Sequence, residues 1–532
     1  MSEQNQEYLL AISLGPVQGF IAAARKTRDL WFGSKLLSDI AKKTAKFIKE
    51  NNDDLIFPGV ENDADIDINS DTSIANVILA VVKGDPQQIA KQAKEEANKA
   101  WRIFADKAKK EVEAKGTKVI RDDVWEQQVD DFVEFYAAWV PYNGSDYPKK
   151  RNRVMRLLAG RKNCRDFIQE KSNPGLPKSS LDGSRDTVLQ ENLPEVFRED
   201  LHIREGEQLD VIGVVKRFTE TKPFKSTFRI AVDPLVRDNP GLAAEFERID
   251  EIDDNKRLQK EAEKSPYLAI LCADGDKMGA AISKQKTPEN HKKLSIALSK
   301  FANDVPGIVK QHYGECVYAG GDDVLAFLPL DTVLECAREL HDDFADKLDA
   351  YEDQNVSLSV GIVVGHYHEM LETLLNFARK AESTAKKTNE GKTKSDPRYG
   401  DRNGLAVWTY HRGNSLCGVR ERWKQSNGVE KSLDERIIHW AKLFEQGDIS
   451  AKFPYDLRTI ANLYMDSNVP EEGIRADAVR STKQKQIKPE LFDNFNMIHS
   501  AKELKSLADE LLIAQMIGSA TKLAKRGEKH EH

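Results

Sequence analysis

Cysteine is scarce in this chain: five in 532 residues (Cys164, Cys272, Cys316, Cys336 and Cys417), with no C-x-x-C pair among them. Such spacing excludes a disulfide scaffold and a four-cysteine zinc site, so no zinc is expected and the thiols should be buried or inert. Long apolar runs are missing as well. The best, Ile74 to Val82, falls well short of the ~18 to 20 residues that span a bilayer, so no membrane contact is expected. The polar start, Met1 to Tyr8, lacks a basic segment followed by an apolar core; no secretory signal is expected, and the place of action should be the cytoplasm. Nor does one sign of charge prevail. The 87 acidic and 80 basic side chains leave −7, so any attraction to nucleic acid must come from local basic patches. What remains, 40% apolar and 31% charged, is ordinary globular composition, and at roughly 150 residues per domain the length allows three or four domains.

Periodicity divides the chain. In the first part, 1–190, a strand at Tyr8 to Leu14 turns at Gly15-Pro16 into a long helix from about Val17 to Asn51. A second strand, Asn76 to Val82, leads into a long Ala/Lys/Glu helix, and Phe132 to Val140 reads as a further strand. A basic insertion follows, with Lys149, Lys150, Arg151, Arg153, Arg156, Arg161, Lys162 and Arg165 crowded together. It could contact a phosphate backbone or be a solvated helix face, and Arg151, Arg153 and Arg156 are the candidates for RNA or partner contact. Residues 191–262 read as a connector, with a short strand at Gln208 to Lys216 and then helices. In 263–412 the order strand, helix, strand, strand, helix, strand predicts a ferredoxin-like α+β unit. The rest, 413–532, predicts a helical domain.

Two acidic motifs fall in that third segment. Gly320-Gly321-Asp322-Asp323 stands between two short strands, where Gly-Gly suits a tight hairpin and leaves room for an approaching phosphate. Alone, it could equally be a turn with exposed aspartates. Asp274-Gly275-Asp276-Lys277-Met278-Gly279 ends the preceding strand, which this topology sets beside the hairpin, so four carboxylates should meet on one edge. Clustered carboxylates need a cation, and hard oxygen ligands favour Mg²⁺ or Mn²⁺. That chemistry suits nucleotidyl transfer, with Asp322, Asp323 and Asp274 as catalytic candidates and Asp274, Gly275, Asp276, Asp322 and Asp323 as metal-holding ones.

At these motifs the sequence resembles the large polymerase-cyclase subunit of type III-B CRISPR effector complexes. The stretch Ser13-Leu14-Gly15-Pro16-Val17-Gln18-Gly19-Phe20-Ile21, continuing through Ala24-Arg25-Lys26-Thr27-Arg28-Asp29-Leu30-Trp31 to Gly33-Ser34, is similar to that family's, as is Lys178-Ser179-Ser180-Leu181-Asp182-Gly183-Ser184-Arg185. The resemblance runs over about residues 7 to 412. It implies an α+β protein with two ferredoxin-like palm domains, nucleotidyl cyclase-like, an inserted helical module and a C-terminal helical domain. It also implies an activity: once the complex captures RNA complementary to its CRISPR RNA, adenylates from ATP are joined into cyclic oligoadenylate, a second messenger. The partners implied are the other complex subunits, CRISPR RNA, target RNA and ATP. Nucleotide-binding candidates are Gly320, Gly321, Gly279 and Lys387 in the second palm, with Lys386, Lys392 and Arg402 nearby. In the first they are Ser13, Gly15, Gln18, Arg25, Arg28 and Ser34, unless that stretch only packs the palms together.

Family members often carry a His-Asp nuclease domain ahead of the first palm, and none is seen in this sequence, so DNA cleavage is not expected; the one His-Asp pair, His341-Asp342, reads as helix surface. Two other readings stay open: the same site adenylating S-adenosylmethionine, and a non-catalytic RNA-binding scaffold. A diguanylate cyclase is disfavoured because Val324 replaces the expected Phe.

Overall fold

The computed structural model describes residues 6–24, 26–51, 54–68, 70, 72–115, 119–164, 173–181, 183–191, 193, 203, 205–219, 224–247, 256–387, 401–411, 415–423, 431–467, 469–485, 487 and 498–528. Arg25, Lys392, Arg165 and the side chain of Gln18 lie outside them.

The first unit runs β1 (Glu7–Gly15), α1 (Gln18–Ala22), α2 (Thr27–Glu50), β2 (Asp54–Phe57), β3 (Val77–Lys83), α3 (Pro86–Lys115), α4 (Asp122–Asp130), β4 (Glu134–Tyr142) and α5 (Tyr147–Asn163). Its sheet, in the order β2-β3-β1-β4 and wholly antiparallel, has the ferredoxin-like topology that the resemblance implied for this segment and that periodicity alone indicated only for the later one. Alternation in β1 sends Leu10, Ile12 and Leu14 into a core with α2 and α3, and Leu9 and Ala11 to the opposite face, under α5. The long helix expected from Val17 breaks after Ala22 and restarts at Thr27.

Next come five short helices, α6 (Val211–Phe218), α7 (Thr227–Ala231), α8 (Asp233–Val236), α9 (Pro240–Glu247) and α10 (Lys256–Ala262). The strand expected at Gln208 to Lys216 is the helix α6. The Asp210 carboxylate caps it by accepting from the Gly213 N–H at 2.8 Å, and Val211, Val214 and Val215 pack on the first core.

The second unit is β5 (Tyr267–Asp276), α11 (Met278–Lys284), α12 (Pro288–Gln311), β6 (Glu315–Gly320), β7 (Asp323–Pro329), α13 (Val333–Lys347), β8 (Ser357–His366), α14 (Leu371–Ala385), β9 (Gly404–His411) and β10 (Ser415–Arg422). Its sheet order is β10-β9-β8-β5-β7-β6, a ferredoxin-like kernel with β9 added parallel to β8 and β10 beyond it. The sheet therefore continues past 412, where only helices were expected. Helices α15 (Leu433–Gln446), α16 (Phe453–Tyr464), α17 (Glu471–Gln484) and α18 (Ala501–Glu528) follow and share one hydrophobic core with α12, α13 and one face of this sheet. No described helix is long and apolar enough to cross a membrane.

The units clasp each other through side chains. Leu30 of α2 and Ile230 of α7 pack on the opposite face of the second sheet, beside Ile270 and Phe327. Arg151, expected to reach RNA, is buried at 3% exposure. Its guanidinium donates to the Ile282 carbonyl of the second unit and lies over the Tyr147 ring. The Tyr147 hydroxyl meets His291 Nδ1 at 2.7 Å, and burial, followed by the Arg151 charge, pushes that histidine down to about 4, so it is neutral at physiological pH. Arg151→Ala removes a charge-assisted hydrogen bond between the units and is expected to cost about 1 to 2 kcal/mol, read as a lower urea midpoint.

Candidate active site

Strand register builds the site. Cys272 of β5 is paired with Leu325 of β7, and both belong to the face covered by α14. Asp274 and Asp323 each lie two residues from one of these and therefore leave the sheet on that same face. Between β6 and β7, Gly321 takes φ +69°, a conformation glycine adopts without strain, and this lets the chain reverse within the Gly320–Asp323 pair. Gly275 is required for a different reason. A Cβ there would lie 2.7 Å from the Asp322 Cβ, so only glycine lets Asp322 pack on the end of β5.

The carboxylates are crowded. Loss of hydration, then the Asp323 charge, pushes Asp322 up to about 7. Asp323 is raised too by lost hydration, although its outer edge is exposed. Glu382 of α14, absent from the sequence candidates, is pushed up to about 7 by burial and then by Asp323 and Asp276. Its helical phase, one turn before Lys386, was the available signal. Lys386 itself touches Asp274 and lies 3.0 Å from Glu382, while burial and the Arg402 charge pull it down to about 8. Lys387, the lysine favoured from sequence, is exposed, just beyond the end of α14.

Asp276 departs from the expected cluster. It has 0% exposure, and its Oδ2 accepts from the Ser357 and Ser359 hydroxyls at 2.8 and 2.7 Å and from the Asn403 N–H at 2.8 Å. No group of three or more His, Cys, Asp or Glu among the described residues is arranged to hold a metal ion. The donor set still suits a hard cation: Asp274 and Asp323 offer oxygens on one face, and Asp322 beside them is raised by lost hydration and by the Asp323 charge. Mg²⁺ or Mn²⁺ fits there with two carboxylates, completed by water and substrate phosphate.

The other candidates fall elsewhere. Gly279, in the first turn of α11, faces open space. Ser13 and Ser34 are buried in the first unit, where a Cβ on Gly15 would lie 2.9 Å from Glu134 Oε2. Arg28 donates to the Arg217 carbonyl at 2.6 Å. Ile21, Ala24 and Leu30 from this stretch pack against the second sheet, close to Tyr318 and Leu325. His341, expected at the surface, is 3% exposed; its Nε2 meets the Asn403 amide oxygen at 2.9 Å and its ring lies 4.8 Å from that of Trp423. Of the cysteines, Cys164 is exposed, and Cys272 and Cys316 are buried enough to be pushed up to about 12.

Comparison with known proteins agrees with this fold. Residues 267–395 match the model of the second palm domain of Cas10/Cmr2, and residues 9–106 that of the N-terminal part of the CRISPR-associated protein Cmr2. The Cmr2 subunit of the CRISPR Cmr system of Pyrococcus furiosus is 32% identical over 192 residues, 29% of this chain and 22% of the relative. The Saccharolobus solfataricus Cmr2 is 24% identical over 260 residues, 44% of this chain and 24% of the relative, so in both cases the match spans about a quarter of the relative's length or less. Among solved structures, the type III-B Cmr-beta complex in its apo state contains a chain of the same fold (TM-score 0.64, 15% identity, 91% of this chain and 78% of that one). So does Cmr-beta bound to cognate target RNA (TM-score 0.61, 16% identity, 90% and 78%). The Csm1–Csm4 cassette in complex with pppApA matches at a TM-score of 0.51, with 14% identity, over 96% and 69%. Two ferredoxin-like sheets, a Gly-Gly-Asp-Asp hairpin on the second and a family match within each unit lead to one conclusion: in residues 9–106 and 267–395 the chain is similar to the Cas10/Cmr2 family of CRISPR-associated proteins.

Proposed function

We propose that this chain is the nucleotidyltransferase of a type III CRISPR effector complex, which on capture of target RNA joins adenylates from ATP by 3′-5′ bonds into cyclic oligoadenylate. The observation that carries the reading is the carboxylate groove of Asp274, Asp322, Asp323 and Glu382, in which Lys386 meets only Asp274 and Glu382 while Asp322 and Glu382 are raised to about 7. A scaffold gains nothing from such repulsion, whereas an enzyme using a divalent cation and a polyphosphate does. A hydroxyl of one adenylate attacks the α-phosphate of another, the new P–O bond forms, pyrophosphate leaves and the hydroxyl proton is lost. Mg²⁺ or Mn²⁺ held by Asp274 and Asp323 would supply charge to the attacking and leaving oxygens. Lys386, freed from Asp274, is placed to meet phosphate, and the Gly320-Gly321 turn leaves the approach open. The likeness to a cassette that holds pppApA favours an adenylate product.

The test is incubation of the assembled complex with labelled ATP, with and without target RNA and S-adenosylmethionine, followed by identification of products by mass. Cyclic oligoadenylate that depends on target RNA is expected. An S-adenosylmethionine adduct would reassign the acceptor, and no nucleotide product would leave the scaffold reading.

On α5, Arg153 and Arg156 are exposed beside Lys149 and Lys162, and in this reading they face CRISPR RNA or the subunits that carry it. Replacing both with Ala is expected to lower the log–log salt slope of RNA-dependent assembly by about 1 to 2. An unchanged slope would make this a solvated helix face.

A further inference from the structure

Asp276 ends β5, and β8 presents it with Ser357 directly opposite and Ser359 two residues along. Three donors converge on its Oδ2. Its Oδ1 faces the Arg402 guanidinium, with Nη1 at 3.6 Å, where a divalent cation would meet a positive charge. The third donor is the informative one. The Asn403 N–H belongs to a turn in which Arg402 and Asn403, neither of them glycine, take φ +63° and +45° in succession. Residues other than glycine hold this conformation in succession only where the surroundings over-determine them. Here they do. Besides the Asp276 bond, the Asn403 carbonyl accepts from the Trp423 N–H at 2.9 Å and its amide oxygen meets His341, while the Arg402 N–H donates to the Lys386 carbonyl at 3.2 Å. Gly404 lies so close to the end of α14 that a Cβ would sit 2.2 Å from the Ala385 carbonyl oxygen.

From this geometry we infer that Asp276 is a positioning residue and not a metal ligand: with His341 it pins the left-handed turn 401–404, which sets Arg402 beside Lys386 at the mouth of the carboxylate groove to receive nucleotide phosphate. The last clause rests on the nucleotidyltransferase reading; the pinning does not. The two aspartates of Asp274-Gly275-Asp276 thereby take different tasks. Asp274 is half-buried and faces the groove, while Asp276 holds the backbone that carries a cation towards it. Arg402 is 39% exposed in its side chain, open enough to accept a ligand and close enough to Lys386 for the two to act as a pair.

Amide hydrogen exchange on the full chain without nucleotide tests the pinning. Asp276→Ala and His341→Phe should each speed exchange at residues 402–404 by about tenfold or more, and Asp274→Asn should not. Asp276→Asn keeps an acceptor oxygen and should largely restore protection. Mn²⁺ binding in the presence of ATP, followed by electron paramagnetic resonance, should weaken about tenfold or more in Asp274→Asn and by less than about threefold in Asp276→Asn. Arg402→Ala should weaken ATP binding about tenfold, with partial recovery in Arg402→Lys. If Asp276→Ala does not fold, His341→Phe loosens the same turn from its other side. Unchanged exchange at 402–404, or loss of Mn²⁺ from Asp276→Asn equal to that from Asp274→Asn, overturns the inference. A wild-type chain that binds no ATP overturns the phosphate clause and the nucleotidyltransferase reading, while the exchange result still decides the pinning.

Discussion

Replacing Asp322 and Asp323 together with Ala lowers nucleotide product formation by about a hundredfold or more, and raises the melting temperature of the cation-free chain. The loss follows from where the charges lie: they serve a reaction that develops negative charge on phosphate oxygens, so their removal acts on the transition state. The gain in stability comes from the same crowding. Asp322 is pushed up to about 7 by lost hydration and by Asp323, so its ionised form is disfavoured in the fold at pH 8 and removing it relieves repulsion. Opposite signs in activity and stability mark residues kept for chemistry. Undiminished turnover in the double variant would remove the active site from this sheet, and a fall in melting temperature would make the pair structural.

Stability of the chain in EDTA should fall as the pH rises from about 4 to about 7. An acid whose folded pKa lies above its unfolded value keeps its proton longer in the folded state, so the folded state binds more protons across that window and loses ground as they leave. Asp322 and Glu382 both move from ordinary values of 3.8 and 4.5 up to about 7. At roughly 1.4 kcal/mol per pH unit each would amount to several kcal/mol; with water on the open side of the groove, the pair is expected to contribute about 3 kcal/mol. Above about 8 the trend should reverse, because Lys386, pulled down to about 8, sheds its proton in the folded state before it would in the unfolded chain. Mn²⁺ should flatten the decline by supplying the missing counter-charge. Urea midpoints across the pH range, with and without Mn²⁺, measure all three effects, and a flat profile in EDTA would mean that the carboxylates are well solvated.

The second unit was legible because its strands and helices are long and strictly periodic. The first hid β2, only four residues, so its ferredoxin-like order could not be completed from sequence. In α6, the β-branched Val211, Ile212, Val214 and Val215 imitate a strand, and the Asp210 cap decides the matter locally. β10 did carry a usable signal, since Cys417 and Val419 are buried at period two. The same holds for Arg151: Tyr147, Arg151, Val154 and Leu158 form one helical stripe, and a cation on an otherwise apolar stripe is a candidate for burial. Asp274 and Asp276 both end a strand that the topology sets beside the hairpin, which is why both were expected at the metal. Only the third dimension brings in Ser357, Ser359 and Asn403, and so separates them.

The core that joins the second sheet to α15 through α18 has a consequence for biosynthesis. Leu504, Leu511 and Ile513 of α18 lie in the same apolar cluster as Leu271 of β5 and Val360 of β8. A ribosome adding about 5 to 20 residues per second completes β5 through β10 well before α18 emerges, so the part of that face not packed by α12 and α13 waits uncovered in the meantime. The first unit, with a core complete by α6, can fold during that interval. A nascent chain stalled between 423 and 501 should therefore attract chaperones through the part of this face that α18 later covers.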